Sequence, residues 1–232
     1  MDEAIVLCGG LGTRLRSVVA DVPKPMAQVA GRPFLEYLLE FLRQQSVKRV
    51  ILAVGYRREV IIDHFGAAWD GLEIDYAIET EPRGTGGVAR LAVERLKGEA
   101  ALLLNGDSFL ARPFAPLETA LAAGADLVLT VRSEPDTGRY GVCKVEDGRI
   151  TGFGPGAPGQ AGLINAGVYA LRRTLFDGFD LPPVFSFEQD FMAPFVGRLV
   201  VGAVVASEPF IDIGLPESYA LAQTFIPAVR KD

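Results

Sequence analysis

The sequence predicts an α/β fold: a Rossmann-like, three-layer α/β/α arrangement with a mostly parallel, mixed central sheet. Two observations lead to this prediction. Short apolar runs alternate with amphipathic segments through the first 131 residues, a rhythm typical of parallel strands that are joined by helices. Hydrophobic residues make up 49% of the 232 residues, which is enough for a core that covers both faces of a sheet.

The first half of the chain alternates buried strands with helices. The expected strands cover residues 4–7, 50–54, 72–78, 100–104 and 126–131, and the expected helices cover 33–45, 58–65, 87–96 and 117–123. The helix over 33–45 has the clearest pattern, because apolar residues recur at helical spacing. Gly55 ends the second strand and Gly66 ends the second helix. Ligands of such sheets bind at the carboxyl ends of the strands.

The rhythm changes after about residue 132. Shorter strands are expected over 140–145, 149–153 and 163–171, and Asp147-Gly148 is a typical hairpin turn. A glycine- and proline-rich loop is expected over 152–162, followed by a helix over 187–195, a strand over 199–205 and a helix over 216–225. The sequence shows no linker-like change of composition and no repeat, so we expect one domain over residues 1–232.

The charge and composition of the chain argue against some classes of binding partner. The formal net charge of −6 argues against a nucleic acid held by bulk electrostatics. No apolar run reaches the length of a membrane span. The start of the chain lacks the basic and apolar regions of a signal peptide, so we expect a cytoplasmic protein without a membrane partner. The chain has only two cysteines, Cys8 and Cys143. One disulfide between them is left undecided, but two cysteines are too few for a disulfide framework or a zinc cluster.

A glycine-rich loop directly follows the first strand. It reads Leu7-Cys8-Gly9-Gly10-Leu11-Gly12-Thr13-Arg14-Leu15, and Pro23-Lys24-Pro25-Met26 closes it. Glycines let backbone N–H groups approach an anion closely, and Arg14 and Lys24 would neutralise further charge. The loop is not a Walker A motif, because Thr13-Arg14 follows Gly12, and it lacks the third glycine of a dinucleotide-binding fingerprint. The alternative is a glycine-rich turn with two surface cations.

Two aspartates stand where an apolar run meets a glycine. Asp107 lies in Asn105-Gly106-Asp107, and Asp212 lies in Phe210-Ile211-Asp212-Ile213-Gly214. A half-buried carboxylate is costly unless it is paired or binds a metal. Mg²⁺ usually takes one or two carboxylates together with phosphate oxygens and water. The alternative is helix capping or turn formation, which are common for aspartate.

The string Gly-Gly-x-Gly-Thr-Arg-Leu, followed by Pro-Lys-Pro-Met, closely resembles the signature of the sugar-1-phosphate nucleotidyltransferases. The resemblance runs from Ile5 to about Tyr219. It implies a nucleotide-binding half over about 1–131 and a sugar-binding half over about 132–232. It also implies Mg²⁺ as cofactor, with Asp107 and Asp212 as its ligands. One departure is that Arg16-Ser17 stands where a proline commonly follows the Arg-Leu pair.

The resemblance also implies roles for single residues. Arg14, Lys24 and Asp107 would be catalytic, with Arg14 on the transferring and leaving phosphates and Lys24 on the sugar phosphate and α-phosphate. The implied nucleotide-binding residues are Leu7, Gly9, Gly10, Gly12, Thr13, Arg14, Glu81, Gly84 and Thr85. A carboxylate such as that of Glu81 can accept from N1–H and N2–H₂ of guanine, which favours GTP. We interpret Cys8 as a packing residue and the single histidine, His64, as structural.

For the sugar, the resemblance implies binding by Gly141, Asn165 and Glu188. They lie in Arg139-Tyr140-Gly141-Val142, Asn165-Ala166-Gly167 and Ser186-Phe187-Glu188-Gln189-Asp190. Many members carry Glu-Lys after the strand over 149–153, whereas this chain has Gly154-Pro155. The sequence leaves open which residue makes this contact instead, and Lys24 becomes more important for phosphate binding.

The implied reaction joins a sugar 1-phosphate to a nucleoside triphosphate and releases pyrophosphate. The second pKa of a phosphate monoester is about 6, so the attacking oxygen is already anionic and needs no general base. Positioning and electrostatics should carry the catalysis. The chain is most similar to members that use GTP and D-glycero-α-D-manno-heptose 1-phosphate, whose product serves bacterial cell-surface polysaccharides. Mannose-1-phosphate guanylyltransferases and amino-sugar-1-phosphate uridylyltransferases are alternatives, as is a catalytically inactive nucleotide-sugar-binding regulatory module. A homodimer is left open.

Overall fold

A mixed β-sheet with helices on both faces is the framework of the protein. The computed structural model describes residues 1–10, 15, 18–19 and 21–229. Within these residues the strands are β1 (Glu3–Leu7), β2 (Gln28–Val29), β3 (Arg32–Pro33), β4 (Arg49–Val54), β5 (Ala68–Trp69), β6 (Leu72–Ile78), β7 (Ala100–Asn105), β8 (Ser108–Leu110), β9 (Leu127–Glu134), β10 (Gly141–Glu146), β11 (Arg149–Pro155), β12 (Gly162–Arg172), β13 (Val201–Ala206) and β14 (Phe210–Asp212).

The helices lie between these strands as the alternating pattern predicted. They are α1 (Phe34–Gln44), α2 (Arg58–Phe65), α3 (Gly84–Val93), α4 (Ala115–Ala122), α5 (Ala193–Phe195) and α6 (Pro216–Val229). Two irregular helices accompany them: a 3₁₀ turn over Lys24–Met26 and a π-helix over Phe187–Met192. Among the described residues, no helix combines the length and apolar character needed to cross a membrane.

The main sheet has the strand order β10-β11-β13-β9-β12-β7-β1-β4-β6-β5. Strand β1 pairs in parallel with β4 and β7, and β4 pairs in parallel with β6. Strand β12 runs antiparallel to both of its neighbours, β7 and β9, in the middle of the sheet. The predicted α/β/α fold with a mixed sheet is therefore confirmed, and its parallel character is concentrated in the half of the chain before residue 131.

Strand β1 shows how the two faces of the sheet are filled. Ala4 and Val6 are buried in an apolar cluster with residues of α1, α2, α4 and α6. Ile5 is buried in the opposite cluster, which contains residues of α3 and of the π-helix. Successive side chains of a strand point to opposite faces, so a strand buried on both sides reads as one continuous apolar run.

The structure differs from the sequence predictions in several elements. Helix α3 starts at Gly84 and not at residue 87. Strand β11 continues to Pro155, into the expected loop over 152–162, because β10 extends the ladder with Gly141 opposite Pro155. The expected helix over 187–195 is a π-helix followed by the short α5. The pairs β2–β3 and β8–β14 were not predicted, because two or three residues carry no readable periodicity.

Both cysteines are buried and free, so they form no disulfide, and the interpretation of Cys8 as a packing residue agrees with its burial. Burial raises the pKa of both thiols, that of Cys143 to about 12. His64 is exposed on α2, and its Nε2 lies 2.8 Å from Oε1 of Glu36 on α1. This contact between two helices agrees with a structural role for His64.

A buried ion-pair network closes the amino-terminal edge of the sheet. Arg49, at the start of β4, pairs with Glu3 of β1 and is 6% exposed, as is Glu3. Its guanidinium also lies 3.0 Å from Glu73 Oε1 and 2.5 Å from Asp75 Oδ2 on β6. Glu3 further accepts the N–H groups of Lys97 and Gly98. The network thus ties three parallel strands together at the edge opposite their carboxyl ends.

Candidate active site

A cavity of about 630 Å³ opens at the carboxyl ends of β1, β4 and β7. Leu7 at the end of β1 lies beside Ala53 of β4 and Asn105 of β7. The cavity brings together most of the predicted nucleotide-binding and catalytic residues, namely Leu7, Gly9, Gly10, Lys24, Glu81, Gly84, Thr85 and Asp107. The predicted residues Gly12, Thr13 and Arg14 lie outside the described residues.

The described part of the glycine loop packs against a carboxylate that sequence reasoning missed. A Cβ at Gly9 or Gly55 would collide with Oε1 of Glu79, whereas a Cβ at Gly10 would meet open space. Glu79 lines the cavity, and its Oε2 accepts the Arg83 N–H at 3.1 Å. Burial raises the pKa of the Glu79 carboxyl. Glu79 directly follows β6, so its place at the carboxyl end of a strand was the available signal.

Lys24 and Asp107 form an ion pair just beyond the carboxyl end of β7. The Lys24 Nζ lies 2.5 Å from Asp107 Oδ2, and the lysine side chain is only 11% exposed. Ser108 Oγ donates to the other carboxylate oxygen of Asp107 at 3.1 Å. Gly106 is needed here because a Cβ would lie 2.5 Å from the Leu7 carbonyl oxygen. The short 3₁₀ turn therefore places the Lys24 ammonium beside Asp107, at the carboxyl end of β7.

The second aspartate reaches the same place through the β8–β14 pair. Asp212 lies opposite Ser108 in this antiparallel ladder, and the Ile213 N–H donates to the Asp107 carbonyl at 2.9 Å. The Asp212 carboxylate accepts from the Gly214 N–H at 2.9 Å and from the Tyr140 hydroxyl at 3.1 Å. A pairing that was not predicted thus makes neighbours of two aspartates that are far apart in the sequence.

The two aspartates suit a divalent cation that shares its ligands with a phosphate. Mg²⁺ commonly uses one or two carboxylates, substrate phosphate oxygens and water. Over the described parts of the chain, no group of three or more His, Cys, Asp or Glu side chains could hold a metal ion by itself. The donor set at Asp107 and Asp212 therefore fits Mg²⁺ as a partner of bound phosphate better than it fits a closed structural site.

The predicted sugar-binding residues also converge. Asn165 Nδ2 donates to Glu188 Oε2 at 3.0 Å and to the Tyr169 hydroxyl at 2.7 Å. A Cβ on Gly141 would lie 3.0 Å from Glu188 Oε1. Strand β12 is irregular between Asn165 and Tyr169, and Gly167 there has φ +72°. This irregularity lets the asparagine and the tyrosine meet although they are four residues apart.

The region of the missing Glu-Lys pair is now defined. Gly154 lies in β11 opposite Val142, and a Cβ there would meet open space. The Tyr140 carbonyl accepts the Gly156 N–H at 3.1 Å, and the preceding Arg139 places its Nη2 3.6 Å from Asp212 Oδ1. Arg139 and Tyr140 therefore bring the loop before β10 to the same aspartate.

A mixed α/β/α sandwich whose parallel strands end at a cavity lined by a lysine and an aspartate, with a second aspartate paired alongside, defines a phosphate-handling nucleotide enzyme. The particular family follows from comparison: the model of the nucleotidyl transferase family matches residues 3–228, and the chain belongs to that family.

Relatives with similar length agree with this assignment. The chain is 40% identical to the D-glycero-alpha-D-manno-heptose 1-phosphate guanylyltransferase of Aneurinibacillus thermoaerophilus, over 95% of this chain and 96% of the relative. It is 41% identical to the protein of the same name from Campylobacter jejuni, over 94% and 96%. Two crystal structures of HddC from Yersinia pseudotuberculosis, one complexed with GMP-PN, are 34% identical over 96% of this chain and 98% of that one, with TM-scores of 0.85 and 0.82.

Proposed function

We propose that the protein is a sugar-1-phosphate guanylyltransferase that joins GTP to D-glycero-α-D-manno-heptose 1-phosphate and releases pyrophosphate. The observation that carries this proposal is the ion pair of Lys24 and Asp107 in the lining of a nucleotide-sized cavity, with Asp212 held beside them by the β8–β14 pair. The heptose and GTP are chosen because both relatives of about 40% identity bear the name of that activity. The HddC structure with GMP-PN supports a guanine nucleotide.

In the proposed reaction the sugar phosphate oxygen attacks the α-phosphorus of GTP in line with the departing pyrophosphate. That oxygen is anionic near neutral pH, so no side chain has to remove a proton. The obstacle is repulsion between two polyanions, and a preorganised cation lowers it. Lys24 is proposed to lie between the sugar phosphate and the α-phosphate. Arg14 is proposed to stabilise the transferring and leaving phosphates, and Gly9, Gly10, Gly12 and Thr13 to surround them.

Mg²⁺ is the proposed cofactor, and Asp107 and Asp212 are its proposed ligands. A bound divalent cation supplies positive charge to phosphate oxygens as negative charge grows on the leaving pyrophosphate. The hydrogen bonds of Ser108 to Asp107 and of Tyr140 to Asp212 support this proposal, because they fix the direction of each carboxylate. Arg139 is the proposed replacement for the missing lysine, since its guanidinium lies beside Asp212.

For the base, we propose Glu79 as the acceptor for guanine N1–H and N2–H₂ in preference to Glu81. Both carboxylates line the cavity, but Glu79 is half-buried between Gly9 and Gly55, whereas Glu81 is exposed. A half-buried carboxylate rejects a base that lacks the matching donors more strongly, because it would stay unpaired. Gly84 and Leu7 are the other proposed base-side contacts.

We propose that Gly141, Asn165 and Glu188 bind the sugar, and that the halves of the chain divide at about residue 131. Apart from Gly214, the lining of the cavity among the described residues lies before residue 131, which supports this division. A cytoplasmic location and a role in cell-surface polysaccharide synthesis belong to the same proposal. Sedimentation of the purified protein tests the open question of a homodimer.

A pyrophosphate-release assay tests the proposed activity. Heptose 1-phosphate, mannose 1-phosphate and N-acetylglucosamine 1-phosphate are each combined with GTP, UTP, CTP and ATP in the presence of Mg²⁺. The proposal expects GTP with the heptose phosphate to give the highest kcat/KM. Preference for mannose phosphate, or for UTP with the amino sugar, would replace the substrate assignment. Absence of turnover with every pair, while nucleotide still binds, would favour the catalytically inactive regulatory module.

A further inference from the structure

The segment before the π-helix lies directly against the turn that starts α3. The Phe185 N–H donates to the Arg83 carbonyl at 3.0 Å, and the Phe185 carbonyl accepts the Gly86 N–H at 2.9 Å. The Gly87 N–H also approaches the Phe185 carbonyl at 3.3 Å. One residue thus both donates to and accepts from the other segment, although they are about a hundred residues apart in the chain.

The glycines of this turn are explained by the contact. A Cβ on Gly84 would lie 2.5 Å from the Phe185 carbonyl oxygen, and one on Gly87 would lie 2.6 Å from the Pro183 carbonyl oxygen. A Cβ on Gly86 would collide with the Phe185 ring. Three of the four residues in Gly84-Thr85-Gly86-Gly87 therefore lack side chains because backbone and a ring occupy the space.

Thr85, the remaining residue of this turn, contacts the start of the π-helix. Its Oγ1 accepts the Phe187 N–H at 3.0 Å. Phe187 is the first residue of the π-helix, and the next residue is the proposed sugar ligand Glu188. The first N–H groups of a helix have no partner within the helix, so the threonine oxygen fixes this end. Ser186 Oγ accepts the Gln189 N–H at 3.2 Å and completes the cap.

The packing behind this contact leaves little freedom for independent movement. The Phe187 and Phe191 rings stack with centroids 5.9 Å apart, and Phe176 packs against both. Phe185, Phe187 and Phe191 are at most 3% exposed. Close-packed interiors transmit small displacements because they have no voids to absorb them. A shift of the α3 turn should therefore move the π-helix and Glu188 with it.

We propose that Thr85 is a positioning residue that couples nucleotide binding at the α3 turn to sugar-phosphate binding at Glu188. This inference rests on the proposed function. It changes the expected role of Thr85 from a nucleotide ligand to a connection between the two substrate sites. Nucleotide bound against the turn shifts the Phe187 end of the π-helix through this hydrogen bond, and Glu188 moves with it into the position that binds the sugar phosphate. Because coupling is reciprocal, each substrate tightens the binding of the other.

Titration calorimetry with Mg²⁺ measures this coupling. The dissociation constant of heptose 1-phosphate is measured with and without saturating α,β-methylene-GTP, which cannot release pyrophosphate. We expect the analogue to tighten sugar-phosphate binding of the wild type by about tenfold, within the usual range of such effects. Thr85→Val, which keeps the shape and removes the acceptor, should reduce this factor below about twofold. Thr85→Ser keeps the acceptor and should restore it.

Two further measurements separate positioning from direct binding. Thr85→Val should bind the analogue alone within about twofold of the wild type, and its KM for the sugar phosphate should rise about tenfold with little change in kcat. Thr119→Val is the matched control, because its hydroxyl bonds the Ala115 carbonyl within α4. It should behave as the wild type. Thr85→Ala serves in the same tests if thermal unfolding shows that Thr85→Val is not folded.

Three outcomes overturn the inference. Coupling of wild-type size in Thr85→Val shows that the hydrogen bond is not the connection. Weaker binding of the analogue alone, with the coupling factor retained, makes Thr85 a nucleotide ligand. No coupling in the wild type removes the effect itself. The proposed function fails separately, and visibly, if the wild type binds neither the analogue nor the sugar phosphate.

Discussion

The Lys24 ammonium and the Asp107 carboxylate form a direct ion pair, with Nζ and Oδ2 2.5 Å apart. The lysine comes from a 3₁₀ turn just after the glycine loop, and the aspartate from the end of β7. The pair therefore places one cation and one anion at the proposed binding site of the two substrate phosphates and Mg²⁺.

Asp107→Asn should abolish Mg²⁺-dependent turnover. The amide keeps the size of the side chain but removes the charge that binds the cation and orients Lys24. We expect kcat to fall at least about 10³-fold, the scale seen when a transition-state electrostatic contact is lost. Pyrophosphate release measures kcat, and circular dichroism checks the fold. The exposed Asp180→Asn is the matched control. Full Mg²⁺-dependent activity in Asp107→Asn would remove the metal proposal.

Gly214→Ala should lower activity, because the added methyl group crowds the Asp212 carboxylate. A Cβ there would lie 2.6 Å from Asp212 Oδ1, so this carboxylate must move, and it would come into van der Waals contact with Lys24 Nζ at 3.4 Å. A displacement of this kind in a positioned site costs about a hundredfold in rate. We expect kcat/KM to fall on that scale while the melting temperature changes little. Gly197→Ala, where a Cβ meets open space, should keep wild-type rates. Equal rates in both variants would contradict the geometry.

Glu79 should give the binding of a GTP analogue a pH dependence. Burial raises the pKa of this carboxyl above its ordinary value of 4.5. Only the ionised form accepts the guanine N1–H and N2–H₂, so affinity is complete above the raised pKa and is lost as the pH falls through it. Glu79→Gln should bind about tenfold more weakly at pH 7.5, since a hydrogen bond to a charged group is lost.

The slope of the pH profile provides the control for this prediction. The analogue phosphates also titrate, so the ratio of the wild-type to the Glu79→Gln dissociation constant is followed by calorimetry from about pH 7.5 down to pH 5. We expect this ratio to move toward one as the pH falls. Glu81→Gln should follow the wild-type curve. If Glu81→Gln is the variant with the flattened profile, the base contact belongs to Glu81.

Arg49→Met should lower stability without touching catalysis. The substitution leaves Glu3, which is 6% exposed, without its ion-pair partner. Removing one member of a buried pair costs about 3 kcal/mol, because a buried charge stays uncompensated. Denaturant unfolding at pH 7 measures this loss, and kcat/KM should remain unchanged because Arg49 lies at the edge opposite the cavity. Adding Glu3→Gln should recover part of the stability; a further loss would contradict the pairing argument.

The succession of strands and helices could be predicted well from sequence, because apolar periodicity is a local property. Four of the five expected strands of the first half were found within one residue, as was α1, whereas β9 runs three residues further than expected. The expected start of α3 was three residues late, since Gly84 and Gly86 weaken the helical pattern while Phe185 satisfies the N–H groups there. The extension of β11 depended on hydrogen bonds to β10, which no local pattern records.

The candidate site could be predicted as a set of residues but not as an arrangement. The motifs selected Lys24, Asp107 and Asp212, and the structure brings these three together. Glu79 was missed because it belongs to no motif, although it follows a buried strand. Gly84 was expected only as a nucleotide-binding residue, whereas the structure explains its lack of a side chain by the carbonyl of Phe185.

The sequence by itself determined the α/β class, the order of its elements and the residue types that are proposed to bind phosphate and metal. Spacing along the chain records these, because helix and strand periods and loop motifs are local. Only the tertiary structure decided that β12 runs antiparallel between β7 and β9, that β8 and β14 unite the two aspartates, and that Thr85 meets the π-helix beside Glu188. These are hydrogen bonds and close contacts between distant segments, and only packing of the whole chain selects them.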